Sequence, residues 1–203
     1  MTINTKTLAA IDIGTNAIRL FISNVEEYPT ETLFKKIAFL RVPIRLGEDV
    51  FTKGEIGQQK RKRLCETMQG FSYIMSAFNV ENYKAYATCA MREAQNGKSI
   101  AEQIQKECDL NIEIISGTKE AETIFAGGMN EVVDDDKTYL YVDVGGGSTE
   151  VIVYSKSVKV EACSFPLGTV RMLNDAVDKK EMKHFKGWLK NITEKYTPDT
   201  IIG

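Results

Sequence analysis

Three stretches near the start of the chain, Leu8 to Ile13, Ile18 to Val25 and Leu33 to Val42, are short, largely apolar and rich in β-branched residues. Bounded by turn-forming residues, with Tyr28-Pro29-Thr30 between the second and third, they predict three successive strands. The period then changes. Leu64, Met68, Phe71, Met75 and Phe78 recur at intervals of four and three, which places them on one face of a helix as a core stripe. Thr52-x-x-Glu55 is expected to open that helix as a capping box. Asn82 to Ala87 predicts a fourth strand, and Thr88 to Asn96 a polar connection. A second helix is expected from Ser99, where Ser99-x-x-Glu102 again has the capping-box spacing, and it buries Ile100, Ile104 and Cys108. Asn111 to Ile115 predicts a fifth strand, and Ser116-Gly117-Thr118 the cap of a third helix.

The second half repeats the opening pattern. Tyr139 to Val144, Val151 to Tyr154 and Val158 to Ser164 predict three strands. A short helix follows from Gly168, and a longer one runs from about Lys180 to Tyr196, with Met182, Phe185, Leu189, Ile192 and Tyr196 on one face. Pro198 ends it, and Thr200 to Ile202 predicts one more strand. Between the halves, Asp134-Asp135-Asp136 reads as an exposed acidic turn rather than a cation site. The domains are therefore drawn as 1–133 and 134–203.

The strand pattern is interrupted by glycine at two matching places. Ala10 to Asn16 reads A-I-D-I-G-T-N, and Val142 to Glu150 reads V-D-V-G-G-G-S-T-E. Apolar–Asp–apolar–Gly followed by a second strand occurs at Asp12 and again at Asp143, an internal repeat of a hairpin. Gly145, Gly146 and Gly147 are more than a hairpin tip needs. Without Cβ atoms their backbone can turn N–H groups toward an anion, and Ser148 and Thr149 add hydroxyls. Thr15 and Asn16 hold the corresponding place in the first turn. The plain alternative is a flexible hairpin tip. Asp12 and Asp143, at the mouths of the turns, and Glu150 beside the second, are candidate Mg²⁺ ligands, since a carboxylate within an apolar strand is costly unless paired or metal-bound. Arg92, just past a strand end, is a candidate phosphate fork; its alternative is a surface ion pair. Arg19, inside a strand, is a weaker one.

Six stretches in order carry a resemblance. They are A-I-D-I-G-T-N-A-I-R-L (Ala10 to Leu20), I-R-L-G-E-D-V-F (Ile44 to Phe51), A-T-C-A-M-R-E-A-Q-N (Ala87 to Asn96), I-S-G-T-K-E-A-E (Ile115 to Glu122), V-D-V-G-G-G-S-T-E and P-L-G-T-V-R-M (Pro166 to Met172). The chain resembles the exopolyphosphatase and guanosine pentaphosphate phosphohydrolase family of the actin-like ATPase superfamily. The resemblance implies an α/β fold of two actin-like (ribonuclease H-like) lobes, the second incomplete, with the two hairpins holding phosphates and Mg²⁺. It implies release of terminal orthophosphate from inorganic polyphosphate, or hydrolysis of guanosine pentaphosphate in stringent-response signalling; the motifs are shared by both. It also implies that Glu120 is the general base that activates water, although by composition alone Glu120 reads as a residue favoured by a helix dipole. Glu122 is expected to face away. An actin-like kinase and a non-catalytic nucleotide or polyphosphate sensor are the rival classes, and a retained base argues against both. Ala17 and Cys89 stand where the family more often has serine. Because the second lobe stops inside its own sheet, the chain is expected to be part of a longer protein and a poor enzyme alone.

Composition changes this picture little. The 203 residues are 43% hydrophobic and 27% charged, which suits one or two globular domains. A formal net charge of −2 points to no polyanion-binding surface, so a phosphate grip must be local, and no sequence-specific nucleic-acid binding is expected. Lys60-Arg61-Lys62-Arg63, the one dense basic run, reads as a solvated helix face with a polyphosphate-guiding role as the alternative. Four cysteines without a C-x-x-C, and one histidine, His184, argue against zinc and fit reduced thiols in a cytoplasmic protein. The N-terminus is not a signal peptide, and no apolar run approaches the roughly 20 residues that span a bilayer. The sequence leaves a homodimer open.

Overall fold

The computed structural model describes residues 4–126, 136–156 and 158–203. They form two compact units, Met1–Ile114 and Ile115–Gly203. Asp134 and Asp135 of the acidic turn lie outside the described residues.

In the first unit β1 (Asn4–Ile13), β2 (Ile18–Glu27) and β3 (Thr32–Val42) form an antiparallel meander. β4 (Asn82–Ala87) runs parallel to β1, and β5 (Glu113–Ile114) parallel to β4, giving the order β3-β2-β1-β4-β5. Alternate residues Ile11, Ile13, Ile18, Leu20 and Ile22 are buried in one core with Leu64, Met68, Phe71 and Met75 of α2 (Gln58–Ala77) and with Ile100 and Ile104 of α4 (Gly97–Cys108). The fifth member of the predicted stripe, Phe78, is the cap residue of α2 and is exposed. Two short helices complete the unit, α1 (Leu46–Lys53) and α3 (Cys89–Glu93).

Neither expected capping box forms. Thr52 lies inside α1, where its hydroxyl donates to the Glu48 carbonyl at 2.6 Å, and Gly54 ends that helix at φ 77°. α2 starts after Gly57 instead. Ser99 is already within α4, which Asn96 precedes, and its hydroxyl donates back to the Asn96 carbonyl at 2.9 Å. Local side-chain bonds to the helix's own carbonyls outcompete the expected cap.

The second unit repeats the topology. β6 (Thr138–Val144), β7 (Thr149–Ser155) and β8 (Val158–Phe165) form a meander, and β9 (Thr200–Ile202) runs parallel to β6, in the order β8-β7-β6-β9. Successive residues of β7 face opposite sides of the sheet, and both sides are buried. Val151 and Val153 pack with Leu140, Phe165 and Ile192, the last from α7 (Lys179–Tyr196). Ile152 and Tyr154 pack with Tyr139 and with Ala121 of α5 (Gly117–Ala126). By packing, then, α5 goes with the second sheet, whereas the sequence pattern drew it with the first. α6 (Thr169–Leu173) follows β8, with Gly168 as its cap. No helix among the described residues is long and apolar enough to cross a membrane.

Candidate active site

The two glycine turns are the same structure built twice. Four residues link β1 to β2 (Gly14, Thr15, Asn16, Ala17), and four link β6 to β7 (Gly145, Gly146, Gly147, Ser148). The Gly14 amide donates to the Ala17 carbonyl at 3.2 Å, and the Gly145 amide to the Ser148 carbonyl at 2.9 Å. A Cβ at Gly14 would come within 3.1 Å of Ala17 O, and one at Gly145 within 3.2 Å of Ser148 O, so crowding across the turn is what favours glycine at both. One step outward, Asp12 opposes Arg19 and Asp143 opposes Glu150.

In the first unit the turn is braced from two sides. The amides of Arg45 and Gly47, at the start of α1, donate to the carbonyls of Asn16 (2.9 Å) and Thr15 (3.0 Å). The Thr88 amide donates to Ile13 O at 3.2 Å, and this bond sets the start of α3, the helix of Arg92, at the base of the turn. The polar connection of the sequence thus folds around buried Cys89, Ala90 and Met91, with Arg92 half-buried. A Cβ at Gly97 would lie 2.0 Å from Met91 O, so the α3–α4 corner closes only on glycine. Thr15 is buried, Asn16 half-exposed, and Asp12 is salt-bridged to Arg19 through Arg19 Nη1. That ion pair gives Arg19 a carboxylate partner while its side chain stays partly exposed.

In the second unit every carbonyl of the glycine run is engaged. Gly145 O accepts from the Thr169 amide at 3.0 Å, and Gly146 O from the amides of Val170 (2.8 Å) and Arg171 (3.1 Å). Gly147 O accepts from Arg171 Nε at 2.9 Å. Gly168 lies flat on this turn: a Cβ there would stand 2.4 Å from Gly146 C, Gly146 O and Gly147 N alike. The Thr149 hydroxyl, expected as a ligand donor, donates instead to Leu167 O. Ser148 is buried.

Asp143 and Glu150 are directly opposed across an antiparallel pair, so their side chains share a face. Glu150 is 1% exposed and accepts from Ser164 Oγ at 2.7 Å. Burial, and then the charges of Asp143 and Glu150, push the Tyr141 phenol upward. Both carboxylates therefore project their field into one small region, and like charges opposed across strands favour a cation between them. Among the described residues no group of three or more His, Cys, Asp or Glu side chains is arranged to hold a metal ion.

Glu120 belongs to the same unit. It sits in the first turn of α5, half-exposed, its amide bonded to Ser116 O at 2.9 Å, while Ser116 Oγ caps the helix by accepting from the Lys119 amide at 3.2 Å. Ala121 turns into the core, and Glu122 is exposed and pairs with Lys159 at 3.4 Å. The basic run serves the fold of the first unit. Lys60 Nζ reaches Arg45 O (2.6 Å) and Glu48 (2.9 Å), Arg61 Nε donates to Gln103 (2.6 Å), and Arg63 to Pro43 O (3.3 Å).

The profile of the Ppx/GppA phosphatase family matches residues 21–201. The chain belongs to this family. Its fold agrees: a crystal structure of an exopolyphosphatase from Cytophaga hutchinsonii superposes with a TM-score of 0.83 at 26% identity, over 98% of this chain and 66% of that one. Among curated proteins, a bifunctional 3-dehydroquinate synthase/phosphatase of Fusobacterium nucleatum is 32% identical over 168 residues, 81% of this chain and 25% of that protein. A putative exopolyphosphatase of Haemophilus influenzae is 28% identical over 167 residues, 82% of this chain and 50% of its own length. This Ppx/GppA chain thus spans a quarter to a half of the length of these two curated relatives.

Sequence reasoning named the glycine turns but no role for Gly168, Arg171 or Gly97. P-L-G-T-V-R-M carried a signal as a motif; its function as a brace is visible only from the carbonyls it engages.

Proposed function

We propose that this Ppx/GppA chain carries phosphohydrolase machinery that releases terminal orthophosphate from inorganic polyphosphate. The observation that carries the reading is the duplicated turn, in which each copy has its carbonyls drawn back by a following segment and a carboxylate at its mouth. Phosphoryl hydrolysis needs a grip on phosphate oxygens, charge neutralisation and a positioned water. In the second unit the amides of Gly146, Gly147 and Ser148 provide backbone donors, the Gly145 amide being used to close the turn; Thr15, Asn16 and Arg92 are the candidate phosphate contacts of the first unit. Glu120 takes the proton of the attacking water as it adds to the terminal phosphorus; the bond to the bridging oxygen breaks, and the shortened chain leaves with that oxygen.

Asp143 and Glu150 fit a divalent cation, Mg²⁺, because they are opposed like charges on one face. Asp12, the corresponding carboxylate of the first unit and a candidate Mg²⁺ ligand there, already shares its charge with Arg19. When bound, the cation would neutralise phosphate charge. Orthophosphate release by the intact protein tests the reading, with polyphosphate and guanosine pentaphosphate compared in Mg²⁺ and in excess EDTA. Polyphosphate is expected to give the higher kcat/KM, by about tenfold or more, and EDTA to abolish it. A preference for guanosine pentaphosphate would move the substrate assignment; no release from either would overturn the hydrolase reading.

A further inference from the structure

A trans peptide is planar, with its C=O and N–H pointing in opposite directions. Fixing a carbonyl therefore aims the amide of the next residue. The carbonyls of Gly145, Gly146 and Gly147 are drawn toward the segment after β8, by the amides of Thr169, Val170 and Arg171 and by Arg171 Nε. The amides of Gly146, Gly147 and Ser148 are thereby aimed the other way, which is the arrangement of an anion nest. Two of the three carbonyls are held by backbone amides, Gly145 O with a longer contact from the Thr169 hydroxyl at 3.4 Å. The third, Gly147 O, is held by a side chain, Arg171 Nε at 2.9 Å, and Arg171 is only 8% exposed. The first turn has the same brace without a side chain, since the amides of Arg45 and Gly47 hold Asn16 O and Thr15 O.

We infer that Arg171 is a positioning residue that aims the Ser148 amide at a phosphate group, and that it acts by its Nε donor rather than by its charge. This deepens the proposed phosphate grip and rests on it. The residue touches the turn from behind, on the carbonyl side, so it need not meet the substrate. Gly168 makes the contact sterically achievable, because any Cβ there would stand 2.4 Å from the Gly146–Gly147 peptide.

Side-chain chemistry separates the donor from the charge. Counted along the chain, the amide nitrogen of glutamine falls where arginine has Nε. Methionine has a methyl group at that place, and lysine a methylene with its charge one bond further. In the 203-residue chain, tripolyphosphate is titrated while the amide resonances of Gly146, Gly147 and Ser148 are followed, with the melting temperature of each variant recorded. Arg171→Gln is expected to keep the affinity within about threefold and the Ser148 response intact. Arg171→Met and Arg171→Lys are expected to lose about tenfold or more, with the Ser148 amide responding least. Affinity kept by Lys and lost by Gln would show a charge contact and overturn the inference, as would affinity kept by Met. The unsubstituted chain gives a second readout, decisive even where a variant fails to fold: the Arg171 Nε–H should exchange slowly before and after ligand. Fast exchange overturns the positioning role. Slow exchange with no amide response to tripolyphosphate would instead defeat the phosphate-grip reading and leave the brace standing.

Discussion

Glu120 and Glu122 lie two positions apart on one helix and face different surroundings, so they make a matched pair of probes. Glu120→Gln keeps size and most hydrogen bonding but removes the basic oxygen pair. Turnover by the intact protein is expected to fall about 10²–10⁴-fold with KM nearly unchanged. Glu122→Gln, which breaks only an exposed pair with Lys159, is expected to leave kcat within about twofold. A kcat for Glu120→Gln within threefold of the unsubstituted enzyme, with a lowered melting temperature, would make this residue a helix-dipole partner only. At the carboxylate pair, Mg²⁺ should raise the melting temperature of the unsubstituted chain, since ligand at a hundred times its Kd adds about 2.7 kcal/mol. Glu150→Gln retains the acceptor for Ser164 Oγ but should abolish that Mg²⁺-dependent rise. A rise of equal size in the variant would place the cation elsewhere.

At the scale of elements, the α1–α2 junction gives a pH-dependent handle. Lys60 is 16% exposed and stands between Glu48 and Asp49. Its hydrogen bond holds the Glu48 carboxyl below the usual range. Burial alone would raise Asp49, but the Gly57 amide and Lys60 outweigh it and the net direction is down. Carboxylates lowered in the folded state stabilise above their ordinary pKa of about 4, and that contribution is lost as pH falls through the folded value. Lys60→Met is therefore expected to lower the melting temperature at pH 7, at a cost of about 1–3 kcal/mol, with the gap to the unsubstituted chain narrowing below about pH 4 to the share of the Arg45 carbonyl bond. Melts across pH 3–8 would read this, and a gap constant with pH would refute it. Much of this architecture was legible in sequence. Short apolar, β-branched runs bounded by turn residues announced the strands, and the Leu64–Met75 stripe announced a helix because burial of one helix face imposes its period. α1 was not legible, because its Leu46-Gly47-Glu48-Asp49 opening has no side-chain cap and begins at Arg45 in a left-handed conformation. The braces behind the glycine turns were hidden for a related reason. They are made mostly of backbone amides, which every sequence possesses, so only the fold shows which amides are used.

The molecule as a whole distributes its core unevenly. One continuous cluster fills the first unit, whereas the second divides its buried side chains between the two faces of a four-stranded sheet. The second unit should therefore melt first. The only tryptophan, Trp188, reports on it alone, with its ring edge-on to Phe165 at 5.5 Å. Trp188 fluorescence is expected to change at a lower temperature than the far-ultraviolet circular dichroism of the entire chain. Coincident transitions would mean that the two units unfold as one. The duplicated turn also has a history written into it. If the halves descend from one ancestral hairpin, they have diverged at the very spot that sets charge: the place held by Arg19 in one copy is held by Glu150 in the other. The difference of sign at this one position separates a neutralised aspartate from half of an acidic pair. Duplication would then have supplied two identical grips, and a single inherited position would have freed one of them to recruit a metal while its twin remained a salt bridge.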